Sequence, residues 1–306
     1  MSASKYIAGD KEAISSFIDK FDTFLFDCDG VLWSGDHLFE NVAETLTMLR
    51  NKGKKLVFVT NNSTKSRADY AKKFTSFDIP VTAEEVFGSS YSAAIYISRI
   101  LNLPAEKSTV FLVSESGTET EFTAESIKFI GGSDPSYRRP IDPPIDLPKI
   151  QSGELLDPTV GAVVLALDFN INYLKMALAT AYVQRGAVLL ATNSDPTLPY
   201  AGGLFPGAGS VGAGVLKATR KEPVVLGKPS QAMMDAIEGK FKLDRGRTCM
   251  VGDRLDTDVR FGNEGGLGGT LAVLTGVTER HEIEEAEGTM RPSVFVDKLG
   301  DLLIAE

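Results

Sequence analysis

The sequence predicts an α/β protein built on a parallel sheet, with a second α/β domain inserted into the first. Short, continuously apolar runs alternate with helical stretches at both ends of the chain, the pattern of parallel strands covered on both faces. A second alternating set lies between these ends. The chain has 306 residues, well beyond a typical domain of roughly 150, so there is room for two units.

The elements follow in order. TFLFD (23–27) is an apolar run ending in acids, AETLTMLRNKG (43–53) reads as a helix stopped by Gly53, and KLVFVTNN (55–62) is a second apolar run ending in polar residues. The alternation resumes in PVVLGK (223–228), SQAMMDAIEGKF (230–241), TCMVGD (248–253), GTLAVLTG (269–276) and SVFVDKLGDLL (293–303). The middle set comprises STVFLVSESG (108–117), GAVVLALD (161–168), NYLKMALATAYVQRG (172–186) and AVLLATNSD (187–195). Within it, residues 131–158 are rich in proline and polar residues and read as an irregular excursion. These readings give a discontinuous core at 1–102 and 207–306, with the inserted domain at 103–206.

Composition narrows the function. A hydrophobic fraction of 43% and a charged fraction of 24% are ordinary for a globular chain, and no apolar run approaches the length of a membrane span. The N-terminal MSASKYIAGDKEAISSF has no apolar signal core and carries acids, so the expected location is cytoplasmic. Two cysteines, Cys28 and Cys249, make neither a disulfide framework nor a structural zinc site. A net charge of −9 argues against nonspecific nucleic-acid binding.

In open parallel sheets ligands bind beyond the carboxyl ends of the strands. Four apolar runs read as core strands end there in reactive residues: Asp27 and Asp29 after FLF, Thr60 with Asn61 and Asn62 after VFV, Lys228 after VVLG, and Asp253 after MVG. Three converging carboxylates repel one another unless one takes up a proton or a cation sits among them. Oxygen ligands without histidine favour Mg²⁺, held by the Asp27 and Asp253 carboxylates and the Asp29 backbone carbonyl. With a metal and Lys228 beside it, Asp27 can attack a phosphate dianion and form an aspartyl phosphate. Lys228, the Thr60 hydroxyl and backbone N–H groups then spread the charge of the transferring group. Asp29 is placed to protonate the leaving alcohol and later to activate water, while Gly30 allows the sharp turn beside the ligand.

DCDG (27–30), Thr60 in VTNNS, Lys228 in GKP and GDRLDTD (252–258) resemble, in order, the four motifs of the haloacid dehalogenase superfamily. FDCDGVLW, FVTNNSTKSR, PGAGS (206–210) and VGDRLDTDV followed by GGLGGT are similar to its p-nitrophenylphosphatase and phosphoglycolate phosphatase branch. That resemblance implies a Rossmann-like core with a C2-type α/β cap, a homodimer formed through the caps, and a small phosphomonoester as substrate. It also implies that Asn61 helps to bind phosphate and that Asp258 supports Lys228 or the metal's waters. An acid at Asp29 separates phosphatases from dehalogenases. Branch members selective for pyridoxal phosphate carry a histidine in the loop TNSDPTLPYAGG (192–203), where this chain has Leu198; 2-phosphoglycolate therefore leads and pyridoxal phosphate is the alternative.

Other signals carry less. GAGSVG (207–212) satisfies a dinucleotide fingerprint, but Pro206 precedes it and no strand leads into it, so a helix start is the better account. Cys28 reads as a small buried residue, with a redox switch as the competing reading. Trp33 is expected either to line the substrate pocket or to fill the core, Asp256 reads as a solvated turn residue, and His37 and His281 as surface residues. A metal-dependent nucleotide-sugar enzyme would account for D-x-D but not for Thr60 and Lys228, and a non-hydrolytic phosphoaspartate receiver would be much shorter.

Overall fold

A computed structural model of the chain describes residues 4–200 and 203–306. The first three residues and two residues of the 192–203 loop lie outside it. The chain divides into two compact units: residues 1–60, 70–87 and 228–306 form one, and residues 61–69 and 88–227 the other.

The first unit is built on a seven-stranded sheet in the order Lys5–Tyr6, Val294–Val296, Gly269–Val273, Thr248–Gly252, Thr23–Phe26, Lys55–Thr60, Val86–Gly88. The pairings from Lys5–Tyr6 across to Lys55–Thr60 are all parallel. Thr23–Phe26 is an interior strand and wholly buried, in keeping with its apolar Phe24, Leu25 and Phe26. Phe24, Phe26, Phe58, Trp33 and Phe74 all sit in one buried cluster of this unit. Helices of the predicted kind follow the strands, Val42–Asn51 turning its buried Leu46 and Leu49 inward and Gln231–Phe241 starting from Ser230, whose hydroxyl caps the Ala232 N–H.

The second unit has its own five-stranded parallel sheet, ordered Val224–Val225, Val188–Ala191, Val160–Leu165, Thr109–Val113, Phe129–Gly131. The helix Tyr173–Gln184 packs on its central strand. Two antiparallel strands, Thr197–Tyr200 and Gly203–Pro206, form a separate pair, with Leu198 opposite Phe205.

The division differs from the boundaries 103 and 206 read from sequence. Residues 88–102 and 207–227 cluster with the inserted unit because Ser89–Arg99 packs on Ser116–Ala124, Ala208–Thr219 packs on Tyr173–Gln184, and Val224–Val225 pairs with Val188–Ala191. So PVVLGK does not hold a core strand. Its two paired residues extend the other sheet, and Lys228 follows after a short loop instead of at a core strand's end.

Residues 131–158 contain more order than their composition suggests. Pro143 and Pro144 open a helix, Pro143–Ser152, where missing N–H groups cost nothing, and Gly153 ends it with a left-handed φ of 95°. Asp146 fastens the segment: its carboxylate receives Arg139 at 2.7 and 2.8 Å and the Asp142 N–H at 2.7 Å. GAGSVG is indeed a helix start, with Gly207 as N-cap of Ala208–Thr219. Among the described residues no helix is long and apolar enough to cross a membrane.

Candidate active site

Thr23–Phe26 ends directly at Asp27, and the neighbouring strand Thr248–Gly252 ends directly at Asp253, so pairing these two strands places both acids on one sheet edge. Asp258 joins them from a single π-turn, Leu255–Val259, five residues further on. One carboxylate oxygen from each of Asp27, Asp253 and Asp258 falls within 4.8 Å of the others.

Lys228 answers this negative charge. Its Nζ lies 2.5 Å from Asp27 Oδ1 and 2.8 Å from Asp258 Oδ1, and it donates to the Val59 carbonyl at 2.8 Å. Burial alone would depress the ammonium, but the Asp258 and Asp27 carboxylates outweigh it and hold the pKa above the ordinary lysine value. Asp258 Oδ2 receives the backbone N–H groups of Asp253 and Arg254 at 3.2 and 3.1 Å. Its Oδ2 is thus held by backbone amides and its Oδ1 by the charge of Lys228, an arrangement suited to supporting that lysine.

The remaining charge is not balanced. Burial, and after it Asp258 and Asp253, drive the Asp27 carboxyl well above the usual range despite Lys228. Burial, and then Asp258, push Asp253 up to about 7. Asp253 Oδ1 is buried with no hydrogen-bond partner among the described residues, an expensive omission unless a cation fills it. The residues present thus fit a hard divalent ion: three clustered carboxylates, a single lysine paired with two of them, and an orphaned oxygen on the third.

The chain is cut close around Asp253. Gly30, at a φ of 89°, has no room for a side chain, since a Cβ there would stand 2.6 Å from Asp253 Oδ2. At Gly276 the same atom would lie 1.8 Å away. Val277 N–H donates to Asp253 Oδ2 at 2.8 Å, and Thr275 Oγ1 to the Gly30 carbonyl at 2.6 Å. This 275–278 loop escaped the sequence reading, because it contributes a backbone N–H and a hydroxyl and its residues carry no charge.

Asp29 is not one of the three clustered acids. Its carboxylate accepts from Trp33 Nε1 at 2.9 Å and from Tyr70 Oη at 3.3 Å, and the atom the sequence assigns to the metal is its backbone carbonyl. Thr60 Oγ1 is 3.2 Å from the same Tyr70 hydroxyl. Trp33 is fully buried, which settles its two readings in favour of the core.

Asn61 and Asn62 belong to the second unit. Asn61 Nδ2 donates to both oxygens of Asp195 at 3.2 Å, and its carbonyl accepts from Asn193 and Ser89. Asn62 Oδ1 accepts from the Thr64 N–H and hydroxyl at 3.0 and 2.7 Å, which shapes the turn. Asp256 is largely exposed beside Arg254. Cys28 and Cys249 are buried thiols whose pKa burial drives well up, so neither is a ready thiolate.

Comparison with known proteins shows the family to which the chain belongs. A family model described as haloacid dehalogenase-like hydrolase matches residues 24–128, and a second, of the same hydrolase kind, matches residues 225–302. The chain is 43% identical to a 4-nitrophenylphosphatase of Schizosaccharomyces pombe over 98% of both chains. It is 42% identical to the chloroplastic phosphoglycolate phosphatase 1A of Arabidopsis thaliana, over 95% of this chain and 79% of the other. It is 34% identical to the human glycerol-3-phosphate phosphatase, over 96% of this chain and 94% of that one. Among solved structures, the 4-nitrophenylphosphatase of Thermotoga maritima superposes with a TM-score of 0.78 at 29% identity, covering 94% of this chain and 97% of the other. A glycerol phosphate phosphatase of Mycobacterium tuberculosis in complex with magnesium gives 0.77 at 30%, covering 93% and 77%.

Proposed function

The chain belongs to the haloacid dehalogenase-like hydrolases, as a phosphomonoester hydrolase, and from that premise we propose that it cleaves small phosphomonoesters with Mg²⁺ through an aspartyl phosphate on Asp27. The observation that carries this reading is the trio Asp27, Asp253 and Asp258, the last two buried, with Lys228 paired to two of them and an Asp253 oxygen that has no hydrogen-bond partner among the described residues. Mg²⁺ held by the Asp27 and Asp253 carboxylates and the Asp29 carbonyl would supply Lewis-acid charge on the phosphate oxygens.

Each remaining role falls to a residue of this chain. Lys228, 2.5 Å from Asp27 Oδ1, fixes the plane of the nucleophile and offsets charge as phosphate approaches. Asp27 attacks phosphorus; the bond from phosphorus to the ester oxygen breaks, and Asp29 gives that oxygen its proton. Asp29 then takes a proton from water, whose oxygen bonds to phosphorus as the Asp27 ester breaks and inorganic phosphate departs. Thr60 binds the phosphate oxygens, and Asp258 keeps Lys228 in place.

The substrate proposed is 2-phosphoglycolate, supported by relatives of that name at 42% and 40% identity and by Leu198 where a pyridoxal-phosphate-selective histidine would stand. The same reading takes the protein as a cytoplasmic homodimer, which light scattering on the purified chain checks.

Phosphate release from 2-phosphoglycolate, glycerol 3-phosphate, pyridoxal phosphate and p-nitrophenyl phosphate, with Mg²⁺ and with EDTA, tests the reading. Wild type is expected to prefer phosphoglycolate and to stop in EDTA, while Asp27→Asn folds normally and loses at least about a thousandfold in kcat. Substantial turnover by Asp27→Asn would remove it as nucleophile, and preference for another ester would replace the substrate.

A further inference from the structure

The helix Arg67–Ser76 carries Tyr70, Lys73 and Phe74 at spacings that share one face. Tyr70 and Phe74 pack on the Trp33 ring at centroid distances of 6.3 and 4.8 Å, and Lys73 Nζ lies 4.2 Å from that ring's centroid and 3.9 Å from Asp29 Oδ1. Phe74 and Phe77 serve the surrounding cluster without a polar atom, whereas Tyr70 brings a hydroxyl into it. Burying a hydroxyl is costly unless it is partnered. Its partners are Asp29 Oδ2 at 3.3 Å and Thr60 Oγ1 at 3.2 Å, two of the residues on which turnover depends. Trp33 Nε1 takes the other Asp29 oxygen at 2.9 Å.

We propose that Tyr70, together with Trp33, is a positioning residue that holds the Asp29 carboxylate in the orientation its proton transfer requires and ties it to Thr60. The inference rests on the function proposed above. The two donors come from different parts of the chain and sit on rings that are almost wholly buried, so neither can turn away. The Asp29 side chain itself is 40% exposed and would otherwise sample several rotamers. Misplacing a proton donor by about an ångström can cost on the order of a hundredfold in rate.

Leaving-group dependence separates this role from a structural one. An alkoxide needs a proton to depart, whereas p-nitrophenolate needs little help. Single-turnover ester cleavage is therefore compared on p-nitrophenyl phosphate and on an alkyl phosphate, 2-phosphoglycolate or glycerol 3-phosphate, for wild type, Tyr70→Phe, Asp29→Asn and the double variant. Tyr70→Phe is expected to slow alkyl-ester cleavage roughly tenfold or more with KM little changed, and p-nitrophenyl phosphate cleavage less than about threefold. The double variant is expected to be no slower than Asp29→Asn alone, since both changes disable one device. Equal losses on both esters, or a double variant falling well below Asp29→Asn, would overturn the proposal. Should Tyr70→Phe not fold, Trp33→Phe removes the other donor and carries the same expectation. A wild type inactive on every ester would overturn the phosphatase reading instead.

Discussion

Each unit buries a lysine against an aspartate. In the second unit Lys175 Nζ lies 2.5 Å from Asp168 Oδ2 with neither residue exposed, and in the first Lys228 lies 2.5 Å from Asp27 Oδ1. The resemblance ends at their surroundings. Lys175 also donates to the Gly132 carbonyl, and Asp168 accepts from the Asn170 N–H, so the lysine pairs with one carboxylate and each partner makes a further hydrogen bond. Lys228 faces two carboxylates with a third close by, and one oxygen of that third has no partner. A closed ion pair fixes a loop; an oversupplied one retains an appetite for cation and phosphate. The same two residue types serve structure or chemistry according to how completely the neighbourhood neutralises them.

The largest effect that tests this contrast is a pair of substitutions. Lys228→Met should lower kcat by on the order of a hundredfold or more, by removing charge from the transferring phosphate. Lys175→Met should instead cost about 3–5 kcal/mol of stability by leaving Asp168 buried and unpaired, with kcat of the folded fraction nearly intact. Chemical denaturation alongside steady-state kinetics reads both, and loss of turnover in folded Lys175→Met would break the comparison.

Metal removal gives a smaller, pH-dependent effect. Asp253 holds a proton more tightly folded than unfolded, with a pKa of about 7 against 3.8. Without metal, its contribution to stability is therefore full below about pH 3.8 and is lost as the pH rises through about 7. Mg²⁺ occupying that site should raise Tm more near pH 8 than near pH 5.5, because protons compete with it at the lower pH. Thermal scans in Mg²⁺ and in EDTA at the two values would show it, and an equal rise at both would detach the ion from Asp253.

The smallest effect belongs to Asp146, whose pKa the Arg139 hydrogen bonds, followed by the Asp142 N–H, hold down at about 2. A depressed carboxyl stabilises the fold above its unfolded value of 3.8 and ceases to do so as the pH falls toward about 2. Asp146→Asn should therefore melt slightly below wild type at neutral pH, and the gap should close between about pH 4 and pH 2. A gap independent of pH would assign the role of Asp146 to shape alone.

Asp27, Thr60 and Asp253 could be read from the sequence because each stands at the end of a strand long enough to be recognised, Thr60 as its last residue and the two acids just beyond theirs, so local pattern alone put them on one edge. Lys228 reaches that edge too, yet the two valines before it pair in the other sheet, because so short an apolar run says nothing about which sheet will accept it. Tyr70 was invisible for a different reason: it is separated by 41 residues from Asp29, and nothing in its own helix marks it. In 131–158 the prolines hid a helix, since the first two occupy positions where proline is welcome and Pro148 breaks the expected pattern.

The chain passes between its units at 60/61, 69/70, 87/88 and 227/228. The nine residues from 61 to 69 are thus a second, smaller graft, anchored where Ser63 accepts the Leu167 N–H on its hydroxyl and Ser90 and Thr118 on its carbonyl. Replacing residues 88–227 with a short linker, or transplanting them into a related scaffold, would orphan that graft. In domain-swap engineering the transferable module is therefore the pair of segments, with Asn61 and Asn62 moving with the insertion.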